Sequence, residues 1–195
     1  MIILGLGSNL SSSYGDRFDN INLATEYLKV YGIKILKKSS FYETLSYPNK
    51  KNPKFINIVV LVETHLSPID LMSVLIFIEE KLERKRNKKN DPRTCDIDII
   101  DYNNKVLNFK YKDFDFTVPH EKLIYRNFVL FPLQEIYPNW KHPKTSELIS
   151  DLIERLPEEN KNSILKIKKS WYNKYMLNQD DLIKKVKVYN RFFNP

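Results

Sequence analysis

The chain has 195 residues, 42% of them hydrophobic by type, one cysteine and a net charge of +8. That is enough apolar material for one domain with a sizeable core, which excludes a disordered chain, and the lone Cys95 excludes a disulfide framework or a cysteine-based zinc site and fits a reducing compartment. Residues 160–195 hold nine of the 32 basic and two of the 24 acidic residues, leaving residues 1–159 with 23 against 22. A nearly neutral body gives no indication of a nucleic-acid partner, so a domain at 1–159 and a basic C-terminal extension at 160–195 are expected. No apolar run approaches a membrane span, and Met1-Ile2-Ile3-Leu4 lacks the basic start of a signal peptide. A cytoplasmic monomer without membrane attachment is expected.

Met1 to Leu6 reads as a short apolar strand followed by Gly7-Ser8-Asn9. Gly5-x-Gly7-x-x-Leu10 lacks the third glycine of a dinucleotide fingerprint, and no P-loop motif occurs anywhere. Phe18, Ile21, Ala24, Thr25, Leu28 and Tyr31 recur at helical spacing, with Gly32 as the stop. A second strand is predicted over Ile33 to Thr44. Leu45 to Lys54, with Pro48, Pro53 and three lysines, reads as a loop. Phe55 to Glu63 is a nearly continuous apolar strand and therefore central. Asn57 stands out on it, on the same side as Phe55. A buried Asn often only ties down a loop. The alternative is a flat heteroaromatic ligand stacked on Phe55 and hydrogen-bonded by an amide that both donates and accepts. Ser67-Pro68-Ile69-Asp70 opens a second helix, with Ser67 as N-cap and Leu71, Val74, Leu75, Ile78 and Leu82 on one face. The order β-α-β-β-α-β predicts an α/β (α+β) fold with a ferredoxin-like core, an antiparallel-rich sheet and helices on both faces.

The next stretch organises the rest. Arg84 to Arg93 packs Arg84, Lys85, Arg86, Lys88, Lys89 and Arg93 around Pro92 with Asp91 as the one acid, which reads as a surface loop. Behind it, Cys95 to Ile100 alternates with period two, so Asp96 and Asp98 share one face and Ile97 and Ile99 the other. Their positions lie roughly 6.6 Å apart along the strand. Carboxylates so arranged can converge on two divalent ions about 3.5–4 Å apart, the spacing that clamps a phosphoryl group. Oxygen ligands without His or Cys favour Mg²⁺ over zinc. Two exposed acids on a solvent-facing strand are the plain reading of Asp-x-Asp. The cationic loop directly upstream favours a polyphosphate ligand instead. Val118-Pro119-His120 to Pro138 is the last dense segment of the body, with His120 and Arg126 beside Phe128, Val129, Leu130, Phe131 and Leu133; an arginine there is expected to reach the surface.

Gly7-Ser8-Asn9, Ser40-Phe41-Tyr42-Glu43-Thr44, Phe55-Ile56-Asn57, Pro92-Arg93-Thr94-Cys95-Asp96-Ile97-Asp98-Ile99, and Val118-Pro119-His120 with Arg126-Asn127-Phe128 occur in this order. Together they resemble the hydroxymethyl-dihydropterin pyrophosphokinases of folate biosynthesis over roughly residues 1–150. The resemblance implies transfer of the β,γ-pyrophosphoryl group of ATP to a pterin hydroxymethyl oxygen, with AMP as the other product. It implies Asp96 and Asp98 as ligands of two Mg²⁺ ions, and Arg84 and Arg93 acting with them in catalysis. Glu79, Arg84, Arg86, Arg93, His120 and Arg126 would bind ATP. Asn9, Thr44, Phe55, Asn57 and Phe128 would bind the pterin. The chain departs from the family pattern at Glu83, where glycine is usual, at Lys89-Asn90-Asp91, where Arg-Trp-Gly is common, and at Leu45, where proline is common.

Pyrophosphoryl transfer needs positioning and charge neutralisation more than covalent help, which suits this residue set. Two other classes compete. One is an RNA-binding module, invited by twenty-five Phe, Tyr and Trp residues but lacking the signature of such modules; the other is an Asp-x-Asp nucleotidyltransferase that releases pyrophosphate. The extension lies outside the resemblance. Its Leu182, Val186, Tyr189 and Phe193 fall at spacings of four, three and four, which predicts a helix over Asp180 to Phe193 that packs on the body, the alternative being a basic arm that binds RNA or a membrane surface.

Overall fold

A computed structural model describes residues 1–86, 90–112 and 114–168. The expected helix over Asp180 to Phe193 lies outside the described residues.

The elements are β1 (Ile2–Ser8), α1 (Arg17–Val30), β2 (Lys34–Lys38), β3 (Tyr42–Thr44), β4 (Phe55–Glu63), α2 (Pro68–Lys81), β5 (Asp96–Tyr102), β6 (Leu107–Tyr111), β7 (Phe114–Val118), α3 (Asn127–Ile136), α4 (Ile149–Glu154), α5 (Glu158–Asn162) and β8 (Ile164–Lys166). The main sheet runs β5-β1-β4-β3-β8, with β2 also paired to β4, and every pairing is antiparallel. Strand β4 is central, as its apolar run predicts. Period-two alternation sorts its side chains onto two layers. Ile56, Ile58, Val60 and Val62 pack with α1 and α2 residues such as Leu28, Leu71 and Ile78. Val59 and Leu61 pack with α3 and α4 residues such as Leu130, Leu133 and Leu152.

Local chemistry fixes the helix starts. Asp16 caps α1 with a reciprocal capping box through Asp19, and Ser67 caps α2 ahead of Pro68. Gly32, at φ +74°, takes the left-handed turn after α1. The expected second strand over Ile33 to Thr44 is instead two strands. Ser39 causes the break: its N–H donates to Val59 O and its Oγ accepts from Val59 N, both at 3.0 Å. A side chain thus replaces a backbone carbonyl in the ladder, and the chain steps sideways at Ser40 before resuming as β3. The β6–β7 hairpin, with Phe109 stacked on Phe116 at 5.7 Å, lies between the segments that periodicity picked out.

Trp140 is buried under the second layer and donates from Nε1 to Oδ2 of buried Asp101 at 2.8 Å, while Asn104 N–H donates to Oδ1 at 2.8 Å. Trp140→Phe keeps most of the packing but leaves that carboxylate short of a donor. The expected cost is about 2 kcal/mol, or roughly 4–8 °C in Tm for a chain of this size. Thermal denaturation of the variant checks it.

Candidate active site

The site lies on the α3-side face of the sheet, where Asn57 shares its side with Val59 on β4 and Asp96 and Asp98 share theirs with Ile100 on β5. Strand register builds its floor. Gly7 is paired with Asp96 on one side and Asn57 on the other, and Gly5 likewise with Asp98 and Val59. The two glycines leave that row without side chains between the carboxylates and the amide. A Cβ on Gly7 would lie 3.0 Å from Asn57 Oδ1 and 3.5 Å from Phe55 Cδ1. Two glycines at period two inside a strand mark such a close approach. What the two glycines keep clear depends on the pairing of β1 with both β4 and β5.

Three arginines surround the two aspartates. Arg84 Nη1 lies 2.5 Å from Asp96 Oδ1, and Arg93 Nη2 lies 2.9 Å from Asp96 Oδ2. Arg126 Nη1 is 3.3 Å from Asp98 Oδ2. Behind them sits Glu79 at the end of α2, only 2% exposed, ion-paired to both Arg84 and Arg86. Its Oε1 also accepts from Ile97 N at 2.7 Å, which satisfies an outward N–H of the edge strand β5. Glu79 therefore ties the start of the basic loop to the strand that carries the aspartates.

The electrostatics separate these acids. Burial alone would raise Asp96, but Arg93 and Arg84 outweigh it and hold its carboxyl below the usual range. Burial and the neighbouring charge of Asp96 raise Asp98. Burial also raises Glu79, against the pull of Arg84. His120 is lowered by burial and by Arg126. Its ring has a donor mismatch. Lys122 N–H points at Nδ1 at 3.0 Å and Arg126 Nη2 faces Nε2 at 3.1 Å, yet a neutral imidazole has one acceptor nitrogen. An anionic oxygen lying between His120 and Arg126 would relieve it. Arg93 Nε is likewise buried without a hydrogen-bond partner among the described residues.

The other half of the site carries a buried amide and two aromatic rings. Asn57 Nδ2 donates to Thr44 Oγ1 at 3.0 Å. The Arg93 guanidinium lies 5.2 Å from the centre of the Phe55 ring, and that of Arg126 lies 5.6 Å from the Phe128 ring. Asn9 is 2% exposed and its amide is spent on loops: Nδ2 donates to Ser46 Oγ and Pro53 O at 3.2 and 3.1 Å, and Oδ1 accepts from Arg93 N at 2.7 Å. It therefore joins the 45–54 loop to the base of the basic loop. Its partners, Ser46 and the Pro53 carbonyl, carry no sequence pattern that would have announced them.

A pair of carboxylates ringed by arginines, next to a buried amide and aromatic rings, is an arrangement suited to an enzyme that handles phosphate groups. The family described as 7,8-dihydro-6-hydroxymethylpterin-pyrophosphokinase (HPPK) matches residues 3–138, and the chain belongs to it. It is 37% identical over 155 residues to the 2-amino-4-hydroxy-6-hydroxymethyldihydropteridine pyrophosphokinase of Synechocystis sp., covering 79% of this chain and 75% of that protein. It is 34% identical over 176 residues to the folic acid synthesis protein fol1 of Schizosaccharomyces pombe, covering 90% of this chain but 22% of the relative's length. The fold is similar to that of Plasmodium falciparum HPPK-DHPS, with a TM-score of 0.67 at 17% identity over 85% of this chain and 44% of the other.

Proposed function

We propose that the chain transfers pyrophosphate from ATP to the hydroxymethyl group of 6-hydroxymethyl-7,8-dihydropterin, giving AMP, in folate biosynthesis. The observation that carries this reading is the row Asp96–Gly7–Asn57, which sets paired carboxylates and three arginines beside a buried amide and the Phe55 ring. Incubation with Mg-ATP and the reduced pterin alcohol is expected to yield AMP and the pyrophosphorylated pterin. Release of pyrophosphate would point to a nucleotidyltransferase. Neither product, with RNA retained, would point to a binding module.

Asp96 and Asp98 are the proposed ligands of two Mg²⁺ ions. The donor set fits, being two oxygen-only side chains at period two on one sheet face. Held there, Mg²⁺ would supply charge neutralisation to the transferring group. The chain's own residues do the rest. Arg84, Arg86 and Arg93 are now paired with Glu79 and Asp96, and would turn these cations to the ATP phosphates. His120 and Arg126 would take a phosphate oxygen between them, which relieves the donor mismatch at the imidazole. Phe55 and Phe128 offer ring faces to the pterin, and Asn57 and Thr44 its polar-edge partners. Asn9 acts on the pterin side through the loops it joins. The primary alcohol then lies against a group whose charge the arginines stabilise.

Asn57→Ala removes the edge partner, and Gly7→Ala puts a methyl against Asn57 Oδ1. Each is expected to raise the pterin Kd roughly tenfold with ATP affinity little changed. Calorimetric titration with each ligand measures both.

The strand order β5-β1-β4, with β2 and β3 beyond β4, supports the ferredoxin-like reading of the core. A catalytic body at 1–159, an extension at 160–195 and a monomeric cytoplasmic enzyme complete the proposal; light scattering and cell fractionation test the last two.

A further inference from the structure

Helix α3 begins at the site without a side-chain cap. Arg126 occupies its N-cap position, but the guanidinium turns to Asp98 and His120. Uncapped first turns leave donors unsatisfied and fray. This one is fastened from elsewhere. Asn127, its first residue and 9% exposed, donates from Nδ2 to the Asn160 carbonyl at 2.6 Å and to Ser163 Oγ at 3.1 Å. Ser163 Oγ donates to that same carbonyl at 3.0 Å. The anchoring segment is itself held by the sheet. Ile164–Lys166 pairs with β3, and Ile167 N donates to Phe41 O at 2.8 Å. Lys166 Nζ lies 3.2 Å from Glu135 near the far end of α3. The C-terminal segment thus grips α3 at both ends, through residues beyond the 3–138 stretch that matches the family.

We propose that Asn127 is a positioning residue for substrate binding, which sets Arg126 and Phe128 by clamping the first turn of α3 to Asn160 and Ser163. The inference rests on the pyrophosphokinase reading of the site. Arg126 and Phe128 flank Asn127 in the chain, so any rotation of that turn moves both. Both then lose their aim, one at Asp98 and the anionic ligand, the other at the flat ligand. A clamp that served stability alone would leave the affinity of the folded protein unchanged.

The test uses the full-length chain. Asn127→Ala is expected to raise KM for Mg-ATP and for the pterin roughly fivefold each, with kcat within about twofold. In an Arg126→Ala background the same substitution should add nothing further to KM for ATP, because its effect passes through Arg126. Ser163→Ala, at the other end of the clamp, should shift both KM values in the same direction by about twofold, and it carries the test should Asn127→Ala not fold. Unchanged KM values in folded Asn127→Ala or Ser163→Ala, or additive effects in the double variant, would overturn the proposal. A wild-type chain that forms no AMP would instead overturn the functional reading on which it rests.

Discussion

Asp96→Asn and Asp98→Asn are each expected to abolish turnover while the chain stays folded. Each substitution removes one negative charge from a site built to collect cations, so a divalent ion loses a ligand. The neutralisation it supplies to the transferring group is worth several kcal/mol, on the order of a thousandfold or more in rate. Stability should move far less. Asn retains an oxygen that can accept from Arg84 or Arg93 at position 96, and from Arg126 at position 98. Release of AMP under saturating substrates reports the first effect and thermal denaturation the second. Near-normal activity in either variant at ordinary Mg²⁺ would remove the centre of the proposed function.

Arg93→Ala and Arg84→Ala come next in size, with an expected loss of roughly 10²-fold in kcat for each, the scale of removing one preorganised charge donor. Pterin affinity should change less than kcat, because these cations act mainly on the transferring group. The two variants should differ in stability. Arg84 sits between Glu79 and Asp96, so removing it leaves a buried carboxylate with only Arg86 and the Ile97 N–H. Arg93 is held to Asp96 and stacked on Phe55, and its loss strips no fully buried acid. Arg84→Ala is therefore expected to melt lower than Arg93→Ala. Single-turnover rates, pterin titrations and melting curves on the two proteins decide the matter. A uniform loss of pterin binding with kcat intact would contradict the assignment.

Much of the site was legible because its chemistry is local. Period two along Cys95 to Ile100 fixes that Asp96 and Asp98 share a face whatever β5 pairs with. Ser67 and Pro68 start α2 through their own backbone preferences. The nearly continuous apolar run of β4 required a central position, and Asn57 stood out on it for the same reason. The tertiary structure decided what depends on register and on distant partners. Only pairing of β1 with both β4 and β5 could put Gly7 between Asp96 and Asn57. The packing of α2 brought Glu79 beneath two arginines of the following loop and against the N–H of Ile97. A serine side chain standing in for a carbonyl divided the strand predicted over Ile33 to Thr44, which periodicity cannot register because the substitution involves Val59, twenty residues away. The amide of Asn9 is spent on Ser46, Pro53 and Arg93, and that of Asn127 on Asn160 and Ser163. An amide side chain shows in the sequence that a hydrogen-bonding group is present. The partner it bonds is set by which loops the sheet brings alongside it.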